Sequence, residues 1–289
     1  MSSIKEFNNK LKSLKNTQKI TRTMKMVAAS KLRRAQEAQG NAKLYAQSLA
    51  GLTSRISATV NSSLHPLLVA RPVVNHVLIL VITSDRGLCG AFNNNANKRV
   101  FQWVNENRNK YKTISLSFCG RRGYQFFKKK ENVRNYYEDV TAAPGFDTAQ
   151  RIGVDICRDF LERKFDEVYT VYNQFLSPIS QETVFEKILP IDPGELVDEK
   201  IEHPGEYIFE PRAEELLEFL IPHFLYFKIY FSLLENSAGE HGARMSAMDN
   251  ATKNASELIE KYTLLRNRAR QASITTELIE IVAGAEAIK

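Results

Sequence analysis

A strand-ending turn with an acid, a base, a thiol and two glycines could hold a phosphate. Thr83-Ser84-Asp85-Arg86-Gly87-Leu88-Cys89-Gly90 is such a turn. It follows Val77 to Ile82, six consecutive apolar residues, the pattern of a strand covered on both faces. The turn nevertheless lacks both phosphate-binding fingerprints. Only Gly87 and Gly90 are present, so G-x-G-x-x-G is missing, and no G-x-x-x-x-G-K-[ST] occurs. A tight exposed turn is the better reading. The five histidines (65, 76, 203, 223, 241) are isolated from one another in sequence and show no metal spacing; His76 and His223 read as packed residues. Cys89, Cys119 and Cys157 are odd in number and far apart, which offers no disulfide framework and points to a reducing compartment. Glu214 and Glu215 sit at a helix start, where they complement the dipole. No nucleophile motif appears. These residues point to a mechanical or scaffolding part, with no cofactor and no metal.

Charge is the second signal. The chain of 289 residues carries a net charge of +7. Ten Lys or Arg (5, 10, 12, 15, 19, 22, 25, 31, 33, 34) and one acid, Glu6, lie within residues 1–34. A basic helix face suits an acidic protein surface, a membrane or nucleic acid; it is also compatible with a solvated face. The start is polar and lysine-rich, so no signal peptide is expected. The most apolar window, Phe219 to Leu234, is interrupted by Pro222, His223 and Lys228 and falls short of the roughly 20 residues of a membrane span. It reads as helix buried on one face by the N-terminal helix and on another by a central domain.

The elements that position these residues are two terminal helices and a sheet. From Leu225 to Lys289 there is no Pro, and Met245, Met248, Thr252, Ala255, Ile259, Tyr262, Arg266 and Ala269 share one helix face. A continuous helix there would be about 95 Å long, too long for any single core, so it needs a partner. Residues 3 to 60 supply one. Ile4, Phe7, Leu11 and Leu14 begin a seam; after a polar middle, Met24, Ala28, Lys31, Ala35, Ala38, Ala42, Tyr45, Leu49, Leu52 and Ile56 resume it. Ser3 and Glu6 form a capping box. The helices must pair antiparallel, because a domain is strung between them. Counting from Thr59 beside Arg212 places Met24 near Ala247 and Ser3 near Arg268. About twenty residues of the C-terminal helix, roughly 30 Å, then lack a partner. They include Ile274, Leu278, Ile279, Ile281, Val282, Ala283, Ala285 and Ile288.

Between the helices, strand and helix alternate. Strands are expected at 77–82, 113–119, 132–137, 168–175 and 183–189, with helices to about 109, over 120–130 and opened by Asp147 and Gln150. This is a Rossmann-like α/β domain with a largely parallel sheet. The expected division is 1–60, N-terminal coiled-coil helix; 74–206, central domain; 211–289, C-terminal coiled-coil helix. A kink is expected at Pro222.

Four blocks resemble one family. Asn16-Thr17-Gln18-Lys19-Ile20-Thr21 with Met24 to Lys31, then Ser84 to Gly90, Ala243 to Ala251, and Asn267 to Leu278 are similar to the signatures of the gamma subunits of F-type ATP synthases. The resemblance spans the chain in the expected order. It implies a non-catalytic rotor, one copy per complex, inside a ring of three alpha and three beta subunits. The α/β domain, with the epsilon subunit, would stand on the c-ring. Met24, Lys25, Arg33, Arg34, Arg86, Cys89 and Arg244 are implied as contacts to the surrounding ring. Ile274, Leu278, Ile281 and Val282 would form a bearing tip, and Tyr207 and Glu210 a foot. The implied location is the cytoplasmic face of the bacterial inner membrane, with the inner mitochondrial membrane as the alternative. The inserted segment with two regulatory cysteines of the chloroplast type has no counterpart here. Two other readings compete: a nucleotide-dependent enzyme that uses its terminal helices to oligomerise, and a basic coiled coil on nucleic acid, which would bind DNA in a salt-sensitive way.

Overall fold

The computed structural model describes residues 4–57, 65–192, 210 and 212–286. Along the chain run α1 (Ile4–Ser57), β1 (His76–Ile82), α2 (Phe92–Asn107), β2 (Thr113–Cys119), α3 (Arg121–Phe127), β3 (Asn132–Tyr137), α4 (Phe146–Leu161), β4 (Glu167–Ser177), β5 (Ser180–Leu189) and α5 (Ala213–Glu286). They form two compact units. One joins α1 up to Ala28 with α5 from Met245; the other is Ala29–Arg244. Within the larger unit α5 packs in the core of the sheet, and α1 packs on α5 through Ala42 and Leu49.

In the larger unit the sheet order is β3-β2-β1-β4-β5, parallel except for the antiparallel β4–β5 hairpin. The apolar run of β1 is explained by its neighbours. Leu78, Leu80 and Ile82 face one core, with Ile152 and Ile156 of α4 and Leu217, Ile221, Leu225, Ile229 and Leu233 of α5. Val77, Ile79 and Val81 face the other, with Val100 and Val104 of α2 and Phe127 of α3. Each such side chain contributes about 1.5–3 kcal/mol by leaving water. A third cluster joins Phe227 and Leu234 of α5 to Ala42 and Leu49 of α1. The apolar window of α5 is thus shared between sheet and α1, as its composition suggested. The length argument against a membrane span fails, since α5 is long and apolar enough by composition; Leu217, Ile221, Leu225, Ile229 and Leu233 within it are core.

Three local expectations are corrected. Lys31 is exposed and Leu32 takes the inward position, one step along the helix. The helix at 146 starts from Gly145 with no side-chain cap; Asp147 lies in the first turn. The hairpin strands reach Ser177 and Ser180, further than the apolar alternation implied, because polar partners such as Gln174 and Glu182 continue the ladder. Pro222 lies inside α5, which is helical on both sides of it. Ser3 of the capping box, Thr59, Tyr207 and Ile288 lie outside the described residues.

In the smaller unit the seam of α1 does not stop in its polar middle. Ile4, Phe7, Leu11, Leu14, Gln18, Thr21, Lys25 and Ala28 are the positions turned at least partly inward at heptad spacing. Gln18 donates to Ser256 (2.8 Å), Thr21 pairs with Thr252 (2.7 Å), and Lys25 donates to Asp249 (2.6 Å). Phe7 meets Tyr262, with ring centroids 6.3 Å apart. Hydrogen bonds replace apolar knobs for three layers, which fixes register at some cost in stability. Around those layers the pairing lies two or three residues from the counted register.

Candidate functional site

In an open α/β sheet the ligand crevice lies outside the carboxyl ends of the strands, where the order reverses. Here that point lies between β1 and β4. It is filled by α5. The Asn236 amide donates to the Thr83 carbonyl at 3.4 Å. Glu235 accepts the Phe175 amide at 2.8 Å and the side chain of Gln39. Gly239 lets the helix come close: a Cβ there would lie 3.0 Å from the Phe92 ring and 3.2 Å from the Asn173 carbonyl. Gly242 does the same against Phe175 and Pro178. Two glycines cost a helix about 1 kcal/mol each relative to alanine; close contact with the sheet edge is what they allow.

Asp85 of the turn is held within the chain: its carboxylate takes the Arg121 amide at 3.0 Å and the Thr141 hydroxyl at 2.6 Å.

The turn 84–90 is held from below. Ser84 Oγ donates to the Arg86 carbonyl (2.6 Å), and Asn93 Nδ2 donates to Ser84 Oγ (2.7 Å) and Cys89 Sγ (3.2 Å). Cys89 is 2% exposed, and burial pushes its thiol pKa up. Its side chain points inward, so it does not supply the surface contact assigned to it from sequence. The turn presents Arg86 and Leu88 instead. Leu88 is 64% exposed and has φ 64°, a left-handed conformation that costs a leucine about 1–2 kcal/mol. Its apolar character alone gave no signal, because the strain is visible only in the backbone.

Arg244 reaches the turn from α5. Its Nη2 pairs with Glu240 at 2.7 Å and donates to the Gly87 carbonyl at 3.2 Å. A guanidinium only donates, so the 3.5 Å contact with His241 makes Nδ1 an acceptor and the ring neutral. Burial, with Arg244 and Lys31 adding to it, pushes the His241 pKa from 6.5 down to about 4. Burial raises Glu240, against the pull of Arg244. A pH dependence follows. At pH 7 His241 is neutral whether folded or not. As pH falls through 6.5 toward 4, the unfolded chain takes the proton first, and stability is lost over that window. Between pH 7 and 5 this group should cost about 2 kcal/mol in chemical denaturation, and His241→Gln should flatten the change. Glu240, raised by burial, acts in the opposite sense, so the share of His241 is read from the difference between wild type and His241→Gln over the same window.

Of the other residues singled out from sequence, Arg34 is exposed, and Arg33 is exposed and pairs with Glu37 on its own helix. Met24 and Lys25 are half-buried, Lys25 held by Asp249. The outward face of α1 instead shows Ile20, Met26 and Val27, each more than half exposed. Ile274, Leu278, Ile281 and Val282 are 45–68% exposed. Glu210 is exposed. No cluster of metal ligands occurs among the described residues.

The crevice of this sheet is thus occupied by the chain's own helix, which the domain grips. A family model for ATP synthase matches residues 3–288. The ATP synthase gamma chain of Geobacter sp. strain M21 is 43% identical over 289 residues, covering all of both chains. That of Bdellovibrio bacteriovorus is 42% identical over 295 residues, again covering both. Among solved structures, the mitochondrial ATP synthase of Euglena gracilis (OSCP/F1/c-ring) contains a chain similar at TM-score 0.65 and 20% identity, over 99% of this chain and 94% of that one. A chain of the Tetrahymena thermophila central stalk and c-ring matches at TM-score 0.59 and 24% identity, over 80% and 99%. The chain belongs to the ATP synthase gamma-chain family.

Proposed function

We propose that the chain is the rotor shaft that couples ion flow through the c-ring to the catalytic sites of three alpha and three beta subunits. One copy would serve each complex, with epsilon beside the α/β domain, no cofactor and no nucleic acid. The relatives quoted are bacterial, which favours the cytoplasmic face of the inner membrane. The observation that carries the reading is the seating of α5 in the crevice of the sheet through Glu235, Asn236 and Gly239. A turning domain must hold its shaft without slip, and a buried, hydrogen-bonded helix does that. Arg33, Arg34, Arg86 and Leu88 of the larger unit are offered to the surrounding ring, the turn being held by Arg244. The smaller unit offers Met26 and Val27, beside the half-buried Met24 and Lys25. Ile274, Leu278, Ile281 and Val282 serve as the bearing tip, sheathed by partners, and Glu210 belongs to the foot.

Two experiments test this. Arg33→Glu with Arg34→Glu should leave helicity and melting unchanged, since exposed pairs are worth roughly 0–1 kcal/mol, and should lower ATP-driven proton pumping by assembled complexes. Normal pumping would remove these residues from coupling. Deleting residues 278–289 should leave the isolated chain as stable as before and weaken torque in the assembled ring without abolishing assembly. Melting of the helical pair on truncation would show that the tip packs within the chain.

A further inference from the structure

The opposite edge of the sheet carries a charge cluster that neither the turn nor the helical pair uses. Two short connections lie there, 108–112 before β2 and 128–131 before β3. They place Arg108, Lys110, Lys112, Lys128, Lys129 and Lys130 around a cleft of about 480 Å³ or beside it, all exposed. The nearest acid in these connections, Glu131, is taken by Arg108 at 2.6 Å. Five lysines therefore share these connections with a single acid that is already paired with Arg108. Phe126, 37% exposed, lies next to them with the Lys130 ammonium 3.8 Å from its ring centroid.

The edge has a definite place in the chain. β1 starts there, and β5 ends there, since Leu189 pairs with Val168 at the start of β4. The Ile191 amide donates to the Leu67 carbonyl at 2.9 Å, tying the incoming and outgoing connections together. Both connections between sheet and long helices therefore leave from this edge. On the shaft reading, on which this inference rests, those connections are the foot on the ring. The lysine connections belong to β2 and β3, on the far side of β1 from β4 and β5. On that reading they would lie to the side of the foot, over what surrounds the ring.

We propose that Lys110, Lys112 and Lys128–Lys130 are an electrostatic contact to the anionic headgroups of the bilayer beside the ring. The chemistry favours lipid over an acidic protein. Protein carboxylates are best met by forked, bidentate arginine, and the single arginine here is already paired. Compact ammonium groups on flexible stems, next to one half-exposed aromatic, suit a fluid phosphate surface. A rotating body can hold such a contact at every angle, because lipids exchange beneath it while a stereospecific partner would be left behind.

The test uses the full chain with vesicles of phosphatidylcholine alone or mixed with phosphatidylglycerol. Binding is expected only to the mixed vesicles and should be lost at 1 M salt, where the screening length is about 3 Å. Lys128→Gln, Lys129→Gln and Lys130→Gln together should lower partitioning on the order of 100-fold, from about 1 kcal/mol per lysine. The same change at Lys10, Lys12 and Lys15 of α1 controls for net charge and should leave partitioning within about threefold. Equal effects of the two triples, or equal binding to neutral vesicles, would overturn the proposal. So would loss of a co-purifying subunit from the first triple with vesicle binding unchanged. In assembled, reconstituted complex, a fluorophore on Asn109→Cys should be quenched by headgroup-labelled anionic lipid; the native cysteines are buried and do not compete for label. No quenching there overturns the contact. Failure of the wild-type chain to assemble with alpha and beta subunits would instead count against the shaft reading alone.

Discussion

Gly120→Ala is expected to destabilise the α/β unit by about 3 kcal/mol or more. Gly120 has φ 101°, a region closed to residues with a Cβ. A Cβ there would overlap the Thr83 carbonyl, with its carbon at 2.7 Å. Neither side can yield. Thr83 receives the Asn236 amide from α5, and its amide is bonded to the Cys119 carbonyl at 2.8 Å. Its hydroxyl accepts the Gly123 amide at 2.9 Å. Four elements meet at this one residue, so the strain spreads into the seat of α5. Denaturant titration measures the loss, and retained wild-type stability would contradict the geometry. Gly87→Ala is the contrast: φ is not positive there, and the added methyl meets only the Arg122 guanidinium, at 2.8 Å, which can swing away.

Arg244→Ala should cost about 3–5 kcal/mol, the penalty for leaving a buried carboxylate unpaired. Glu240 is 7% exposed and loses its partner at 2.7 Å. The turn also loses the bond to the Gly87 carbonyl that holds Arg86 and Leu88 in place. Adding Glu240→Gln should recover much of the stability but not the hold on the turn. The two variants therefore separate stability from coupling. If the double variant pumps protons as the wild type does, the position of the turn is irrelevant to coupling. If it is as unstable as the single one, Glu240 is not the source of the cost.

The sequence by itself determined the elements. Period 3.5 in the terminal stretches and unbroken apolar runs in the middle are local properties, and Ile4–Ser57, Ala213–Glu286 and all five strands follow from them. It determined the antiparallel pairing to within a few residues, because chain connectivity leaves no other direction. The exposed Ile274 to Val282 follow from the same count. What it could not decide were matters of side-chain direction and long-range contact. Gln18, Thr21 and Lys25 read as a gap in the seam, yet they continue it through partners more than two hundred residues away. Cys89 and Leu88 are neighbours of similar polarity; which one turns inward depends on Asn93 and on a left-handed backbone that composition does not show. The empty fingerprint at Ser84 to Gly90 was legible, but its cause was not. Only the tertiary structure brings α5, more than a hundred residues further on, into the crevice with Asn236, Gly239 and Arg244, because the glycines allow contact with the sheet edge and the buried polar atoms there demand partners.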